Sequence, residues 1–252
     1  MKIYKKVLLS IVIFTFVACT SSPYTNRSQL IMVSPSQEMQ LGYNAEQQLL
    51  RKSNINHNRA LNERVRRVGT NIARVANQPN YRWKFHVVNG KQINAFCLPG
   101  GKIFVYTGLL NLVDNDSQLA TVMAHEVAHA IARHGAERMS MMQLGQIGKQ
   151  LATKAAGPKY TNAINQIYGI GANYGLFLPY SRTFEYEADE IGLYLMSKAG
   201  YDPRQSVAFW QKMMQASRSM RKPPEFASTH PSDINRIRRL QALIPRALKY
   251  YR

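Results

Sequence analysis

His125-Glu126-Val127-Ala128-His129 sets two imidazoles four residues apart with a carboxylate between them. Four residues is slightly more than one helical turn, so both rings leave the same face and can bind one metal ion. Zinc suits such a nitrogen pair but requires at least one further protein ligand. Glu126 is placed to act on water as a general base rather than to ligate, taking a proton and returning it to a leaving amine. The alternative is a buried helix whose histidines make ordinary hydrogen bonds. Asn115, with Gln118 three residues on, can cap a helix from 116 to about 134, and the small Ala124, Ala128 and Ala130 suit close packing around it.

The next ligand is not nearby. His134, five residues past His129, sits about 140° around the same helix and faces away. Ala132 and Gly135 occupy the glycine and final-histidine positions of the extended H-E-x-x-H-x-x-G-x-x-H pattern. A distant carboxylate is needed, and Glu185, Glu187, Asp189 and Glu190 form the available cluster, on a helix striped by Phe184, Ala188, Ile191 and Leu195. Glu185 and Asp189 share a face at i,i+4, so one can bind metal while the other orients a histidine. Glu187 also borders the stripe, so spacing alone leaves the ligand open. The bland alternative is a solvated acidic face.

Around these residues the pattern predicts helices over about 36–53 and 58–76, the second with Leu61, Val65, Val68 and Ile72 on one face. Strands follow at 81–88, 93–98 and 102–106, with Pro99-Gly100-Gly101 as the turn between the last two. Met139, Met141, Met142, Leu144, Ile147 and Leu151 suggest an amphipathic helix that breaks at Gly157-Pro158. Residues 159–178 suit a core, a lid or a membrane-contacting surface, with core or lid favoured. Helices are expected over 182–198, stopping near Gly200, and from Asp202-Pro203-Arg204-Gln205 to about 217. A last one over 232–244 should stop at Pro245. Helices before and after a small sheet in the chain make an α+β domain without internal repeats.

The N-terminus reads as a targeting segment. Lys2, Lys5 and Lys6 precede an apolar run from Val7 to Ala18, too short to cross a bilayer. Its end, Phe16-Val17-Ala18-Cys19, resembles a bacterial lipoprotein signal, although Phe16 stands where leucine is usual. That resemblance implies cleavage before Cys19 and lipidation of it. Thr20 and Ser21 follow with no aspartate to suggest retention, which points to the outer membrane of a double-membraned bacterium, facing the periplasm. The expected boundaries are a signal over 1–18, a polar, irregular lipidated tether over 19–36, and one domain over 37–252. With Cys19 a thioether, Cys97 has no partner and no internal disulfide forms. Removing the three lysines lowers the formal charge from +19 to +16. Nucleic acid is the first guess from such a charge, but export excludes it and favours anionic lipid or an acidic protein.

Taken together, Asn94-Ala95-Phe96-Cys97-Leu98-Pro99-Gly100-Gly101, His125–His129, Ser181-Arg182-Thr183-Phe184-Glu185-Tyr186-Glu187-Ala188-Asp189 and Ser228-Thr229-His230-Pro231 resemble the M48 family of zinc peptidases. The likeness is to its soluble, lipoprotein-type periplasmic branch and covers about 37–240. It implies a zincin-like, mainly helical α+β metallopeptidase domain with a small sheet and a substrate-binding edge strand, holding one zinc ion per chain. The family's E-x-x-A-D pattern falls on Glu185, Ala188 and Asp189. Glu185 is then the third zinc ligand, and Asp189 the carboxylate that hydrogen-bonds a ligand histidine. His230 falls on a histidine that can reach zinc as a fourth ligand and gate the water position. Arg236 is a candidate for steadying the oxyanion or Asp189. Asn94, Ala95 and Phe96 match the edge strand that holds substrate backbone extended, and Cys97 reads as packing rather than as a nucleophile. The membrane-embedded prenyl-protein peptidases share these motifs, but no transmembrane helices are predicted here to form their chamber.

The implied function is hydrolysis of peptide bonds in misfolded or misassembled cell-envelope proteins. The alternative is an outer-membrane protein assembly factor or chaperone whose proteolysis is gated and rarely used, working beside the assembly machinery. A purely binding or metal-storage protein would need neither Glu126 nor a shaped peptide edge. Intact-mass analysis of the membrane-bound protein is expected to show diacylglycerol on Cys19. An unmodified Cys19 in the wild type, or membrane anchoring unchanged by Cys19→Ala, would contradict the lipoprotein reading.

Overall fold

The computed structural model describes residues 19–162, 177–219, 224–231 and 233–252. The targeting segment 1–18 and most of the uncertain stretch 159–178 therefore lie outside the described residues. Two compact units emerge, one formed by 1–37 and 133–182, the other by 38–132 and 183–252.

In the first unit, β1 (Cys19–Ser21) pairs antiparallel with β2 (Ser28–Leu30), Cys19 opposite Leu30. The stretch expected to be an irregular tether thus folds as a hairpin. It is fastened to the long helix α5 (His134–Ala156) by Arg27, whose guanidinium makes two hydrogen bonds of 2.9 and 2.7 Å to Glu137, joined by Gln29 at 2.9 Å. The Met32 amide donates to Ser140 Oγ, and Ile31 and Val33 bury against Ala136. No alternating apolar run announced this hairpin, because polar side chains hold it. α5 ends at Ala156 with Gly157 at φ 81°, the break expected there.

The second unit carries α1 (Pro35–Lys52, in it from Glu38), α2 (Arg59–Ala76), β3 (Lys84–Val88), β4 (Ala95–Leu98), β5 (Lys102–Tyr106), α3 (Thr107–Leu110) and α4 (Asp116–Ile131). α6 (Phe177–Lys198, in it from Thr183), α7 (Gln205–Ser219), α8 (Glu225–Thr229) and α9 (Ile234–Ala247) follow. The sheet order is β3-β5-β4, with β3 parallel and β4 antiparallel to the central β5. This leaves β4 at an edge. The β4–β5 turn closes through Gly101 N–H to Leu98 O, with Pro99 second and Gly100 third at φ 72°. A positive φ at the third position of a turn requires glycine or asparagine, which explains the Pro-Gly pair.

α4 runs through the middle of the core, with Gln118 to Ala128 buried without exception. Asn115 caps it by accepting from Gln118 N–H at 2.9 Å, as expected, while Gln118 Oε1 accepts from the Asp114 amide. Arg133, at φ 54°, ends the helix after Ile131, short of the expected 134. α2 lays Val65, Val68 and Ile72 into the same core. α6 is capped beyond Lys198 by Gly200 (φ 82°), where Tyr201 N–H closes onto Met196 O, a left-handed helix cap.

Two local expectations need correction. Asp202 does not box with Gln205. Its carboxylate holds Arg204, and Gln205 Oε1 instead accepts from Asn115 and Gln118 at the start of α4. Pro245 does not stop the last helix, which continues to Ala247. So near the C-terminus proline forfeits one intrahelical donor, and the Leu248 amide still closes onto Ile244. α8 carried no periodicity long enough to be foreseen.

Gly192 lets α6 lie directly against α4. A Cβ there would stand 3.1 Å from His125 N and 3.2 Å from the Ala124 carbonyl group, all main-chain atoms that cannot rotate aside. Gly192→Val should therefore force the helices apart and destabilise the fold by about 1–3 kcal/mol. Denaturant unfolding checks this, and an unchanged midpoint would show that the contact yields freely.

Candidate functional site

α4, α6 and the segment after α8 bring four donors together. His125, His129, Glu185 and His230 each offer one ligand atom, and these all lie within 4.8 Å of one another. His125 Nε2 is 3.1 Å from both His129 Nε2 and His230 Nδ1. Glu185 Oε2 is 3.2 Å from His125 Nε2 and 3.0 Å from His230 Nδ1, and its Oε1 is 3.3 Å from His129 Nε2. Ligands about 2.05 Å from a tetrahedral zinc ion stand about 3.3 Å apart. The donor set and its spacing therefore fit zinc. Among the acidic residues left open by spacing, Glu185 enters the cluster, whereas Glu187 is buried elsewhere on α6 and Glu190 accepts from the Tyr194 hydroxyl. His134 lies at the start of α5, in the first unit.

Around the cluster the charges are matched inside the protein. Asp189 Oδ1 lies 3.1 Å from His125 Nδ1. Arg236, almost wholly buried, donates to both oxygens of Asp189 at 2.7 and 2.6 Å, and its Nη1 reaches the Pro231 carbonyl and Glu185. Its guanidinium also stacks 3.7 Å from the Trp210 ring centroid. Of the two tasks foreseen for Arg236, the one on Asp189 is what its hydrogen bonds perform. Burial opposes protonation of His125, but the Asp189 and Glu185 carboxylates outweigh it and hold the imidazolium up to about 9. Glu185 resists burial in the opposite sense. The three histidines around it keep its carboxyl far below the usual range.

Glu126 is buried beside them. Its Oε2 accepts from the Cys97 amide on β4 at 3.1 Å, while Oε1 has no hydrogen-bond donor and lies 3.4 Å from His230 Nε2. Burial raises its carboxyl above the usual range. Asn94, Ala95 and Phe96 lie where β4 begins, at the free edge of the sheet. The Tyr106 amide donates to Asn94 O, so strand alternation turns the main-chain groups of Ile93, Ala95 and Cys97 outward. Two of these are used: Phe226 N–H donates to Ile93 O, and Cys97 N–H holds Glu126.

Sequence reasoning missed Trp210 and Phe226, which stack on each other with centroids 5.7 Å apart and flank His125 at 5.8 and 6.3 Å. Both are buried and carry only a core signal. It also missed the amide of Cys97, since a main-chain donor leaves no trace in residue type. Cys97 itself is a free, half-buried thiol.

A model of peptidase family M48 matches residues 59–244. Mitochondrial metalloendopeptidase OMA1 of Schizosaccharomyces pombe is 40% identical over 183 residues, covering 73% of this chain and 53% of the relative. The human metalloendopeptidase OMA1, mitochondrial, is 36% identical over 96% of this chain and 49% of its own length. The beta-barrel assembly-enhancing protease of Escherichia coli (strain K12) is 30% identical over 81% of this chain and 43% of its own length. The chain thus spans about half the length of each of these three relatives.

Because Arg236 is the cation facing buried Asp189, Arg236→Met should cost about 3–5 kcal/mol in unfolding free energy by stranding the carboxylate. Arg236→Lys, retaining charge without the two-pronged geometry, should lose less while still weakening zinc binding measured by competition with a chelator. Zinc affinity unchanged in the lysine variant would show that the fork does not orient His125.

Proposed function

The chain belongs to peptidase family M48, and from that membership we propose that it is a zinc-dependent endopeptidase of the cell envelope. His125, His129 and Glu185 would hold the ion, one per chain, with Asp189 behind His125 to orient its ring. Bound there, zinc would supply a Lewis acid that polarises the scissile carbonyl and acidifies water. The observation that carries this reading is the set of four donors within 4.8 Å of one another beside a buried carboxylate oxygen with no donor of its own.

Glu126 is the general base. The Cys97 amide fixes Oε2, which leaves Oε1 as the atom that takes the proton from water. A carboxyl raised by burial holds that proton more readily and can deliver it to the departing amine nitrogen. The outward main chain at Ala95 is placed to hydrogen-bond an extended peptide as an added strand, fixing its scissile bond beside the base. Backbone pairing of this kind selects unfolded or extended polypeptide rather than a particular side chain.

The proposed substrates are misfolded or misassembled envelope proteins, and the proposed location is the outer membrane, through lipid on Cys19, facing the periplasm. Lys2, Lys5 and Lys6, the apolar run and Ala18-Cys19 support this placement, as does the similarity to a bacterial beta-barrel assembly-enhancing protease. The relatives named as mitochondrial support the peptidase chemistry, not this compartment. Among the described residues no helix is long and apolar enough to cross a membrane.

One observation favours a gated form of this activity, working beside the outer-membrane assembly machinery. His230 stands in the donor cluster, and Phe226 of the same segment occupies Ile93 on the substrate edge. A client must displace both contacts before it can align.

Glu126→Gln is expected to fold and retain one zinc per chain, yet to cleave unfolded polypeptide about a hundred- to ten-thousandfold more slowly. His230→Ala should raise wild-type cleavage of generic substrates. Equal cleavage by Glu126→Gln and wild type, measured in the His230→Ala background, would remove Glu126 from the mechanism. Rescue of envelope assembly by Glu126→Gln would assign that role to client binding.

A further inference from the structure

We infer that the C-terminal half of α5 is a membrane-contacting surface that seats its apolar stripe in an anionic lipid bilayer. Ala136, Glu137 and Ser140 on this helix are buried beneath the β1–β2 hairpin. Spacings of three and four residues carry the same stripe on to Leu144, Ile147 and Leu151. There the hairpin ends, and the three side chains are 42%, 46% and 63% exposed. Three large aliphatic residues in a row on one exposed helix face need an apolar neighbour.

Charge selects lipid as that neighbour. From Arg138 to Phe184 the chain contains no aspartate or glutamate, while Arg138, Lys149, Lys154, Lys159 and Arg182 are all cationic. Lys154 is exposed on α5, and Lys159 follows just beyond it beside the exposed ring of Tyr160. Aliphatic residues bordered by lysine and ended by tyrosine suit the boundary between acyl chains and acidic headgroups. A soluble acidic partner would satisfy the lysines but leave the stripe in water. A second copy of this chain would bring its own surplus of positive charge. The stripe belongs to the first unit and the metal cluster to the second, and the inference does not depend on the peptidase reading.

The test places a fluorescent reporter on the stripe of the full chain. Leu151→Trp, mixed with vesicles of brominated phosphatidylglycerol and phosphatidylcholine, is expected to gain a blue-shifted emission that the bromine quenches. Gln146→Trp, about 140° around the helix, is expected to behave like the parent protein with its native Trp83 and Trp210. Replacing Leu144, Ile147 and Leu151 together by Gln should weaken partitioning into these vesicles by more than about tenfold, with zinc content unchanged. Vesicles of brominated phosphatidylcholine alone should bind more weakly, as should the anionic ones at high salt. Equal quenching at positions 151 and 146, or none at either, would overturn the proposal. So would light scattering showing a dimer in solution that the triple variant abolishes.

Discussion

Asp189 accepts two hydrogen bonds from Arg236 and faces His125 Nδ1 with the same carboxylate, so one buried anion joins α9, α6 and α4. Taking a carboxylate and a guanidinium out of water costs several kcal/mol each, recovered only when geometry and further partners are good. Here both carboxylate oxygens, the Pro231 carbonyl and the Trp210 face complete the arrangement. The pair is therefore weak evidence for stability and strong evidence for placement. It sets the rotation of α6 that presents Glu185, and it places a carboxylate oxygen 3.1 Å from His125 Nδ1. It also ties down the carbonyl next to His230. Glu185, Asp189 and Arg236 belong to a single charge-matched unit.

Close approach of α6 to α4 is the second condition, and it rests on the absence of a side chain at Gly192. The aromatic wall of Trp210 and Phe226 then excludes water from the inner side of His125. A low-dielectric surround strengthens each remaining polar contact and makes any unmatched charge expensive. In such a setting, three imidazoles and one carboxylate with ligand atoms all within 4.8 Å of one another form a compact donor set.

β4 serves the site through its main chain. Alternation along an edge strand exposes the amides and carbonyls of Ile93, Ala95 and Cys97 on the side away from β5. One of these amides holds the proposed base, one carbonyl receives the His230-bearing segment, and the residue between them remains for a peptide. In the proposed mechanism, substrate alignment, base orientation and access would be coupled through these three outward positions. In the first unit the same economy of polar contacts recurs, with Glu137 gathering Arg27 and Gln29 where an apolar interface would ordinarily hold a hairpin to a helix.

The sequence by itself determined what depends on local spacing. The i,i+4 histidines with Glu126 require only helical periodicity, the cap at Asn115 only the residues next to it, and the Pro99-Gly100-Gly101 turn only backbone sterics. Sheet, helices and their order followed from the same short-range rules, which is why the α+β architecture was legible before any contact was known. The tertiary structure decided what depends on distant partners. Spacing could not separate Glu185 from Glu187, since both border one apolar stripe. The choice falls to whichever carboxylate α6 turns toward His125 and His129, and packing at Gly192 and Asp189 fixes that rotation. The hairpin at 19–30 was read as an irregular tether because its partners lie more than a hundred residues away on α5. Pro245 was read as a helix stop because a lost donor looks decisive locally, whereas packing of Ile237, Leu240 and Ala247 keeps the last turn wound. Main-chain donors such as the Cys97 amide are the same at every position except proline, so only the fold could show which one meets Glu126.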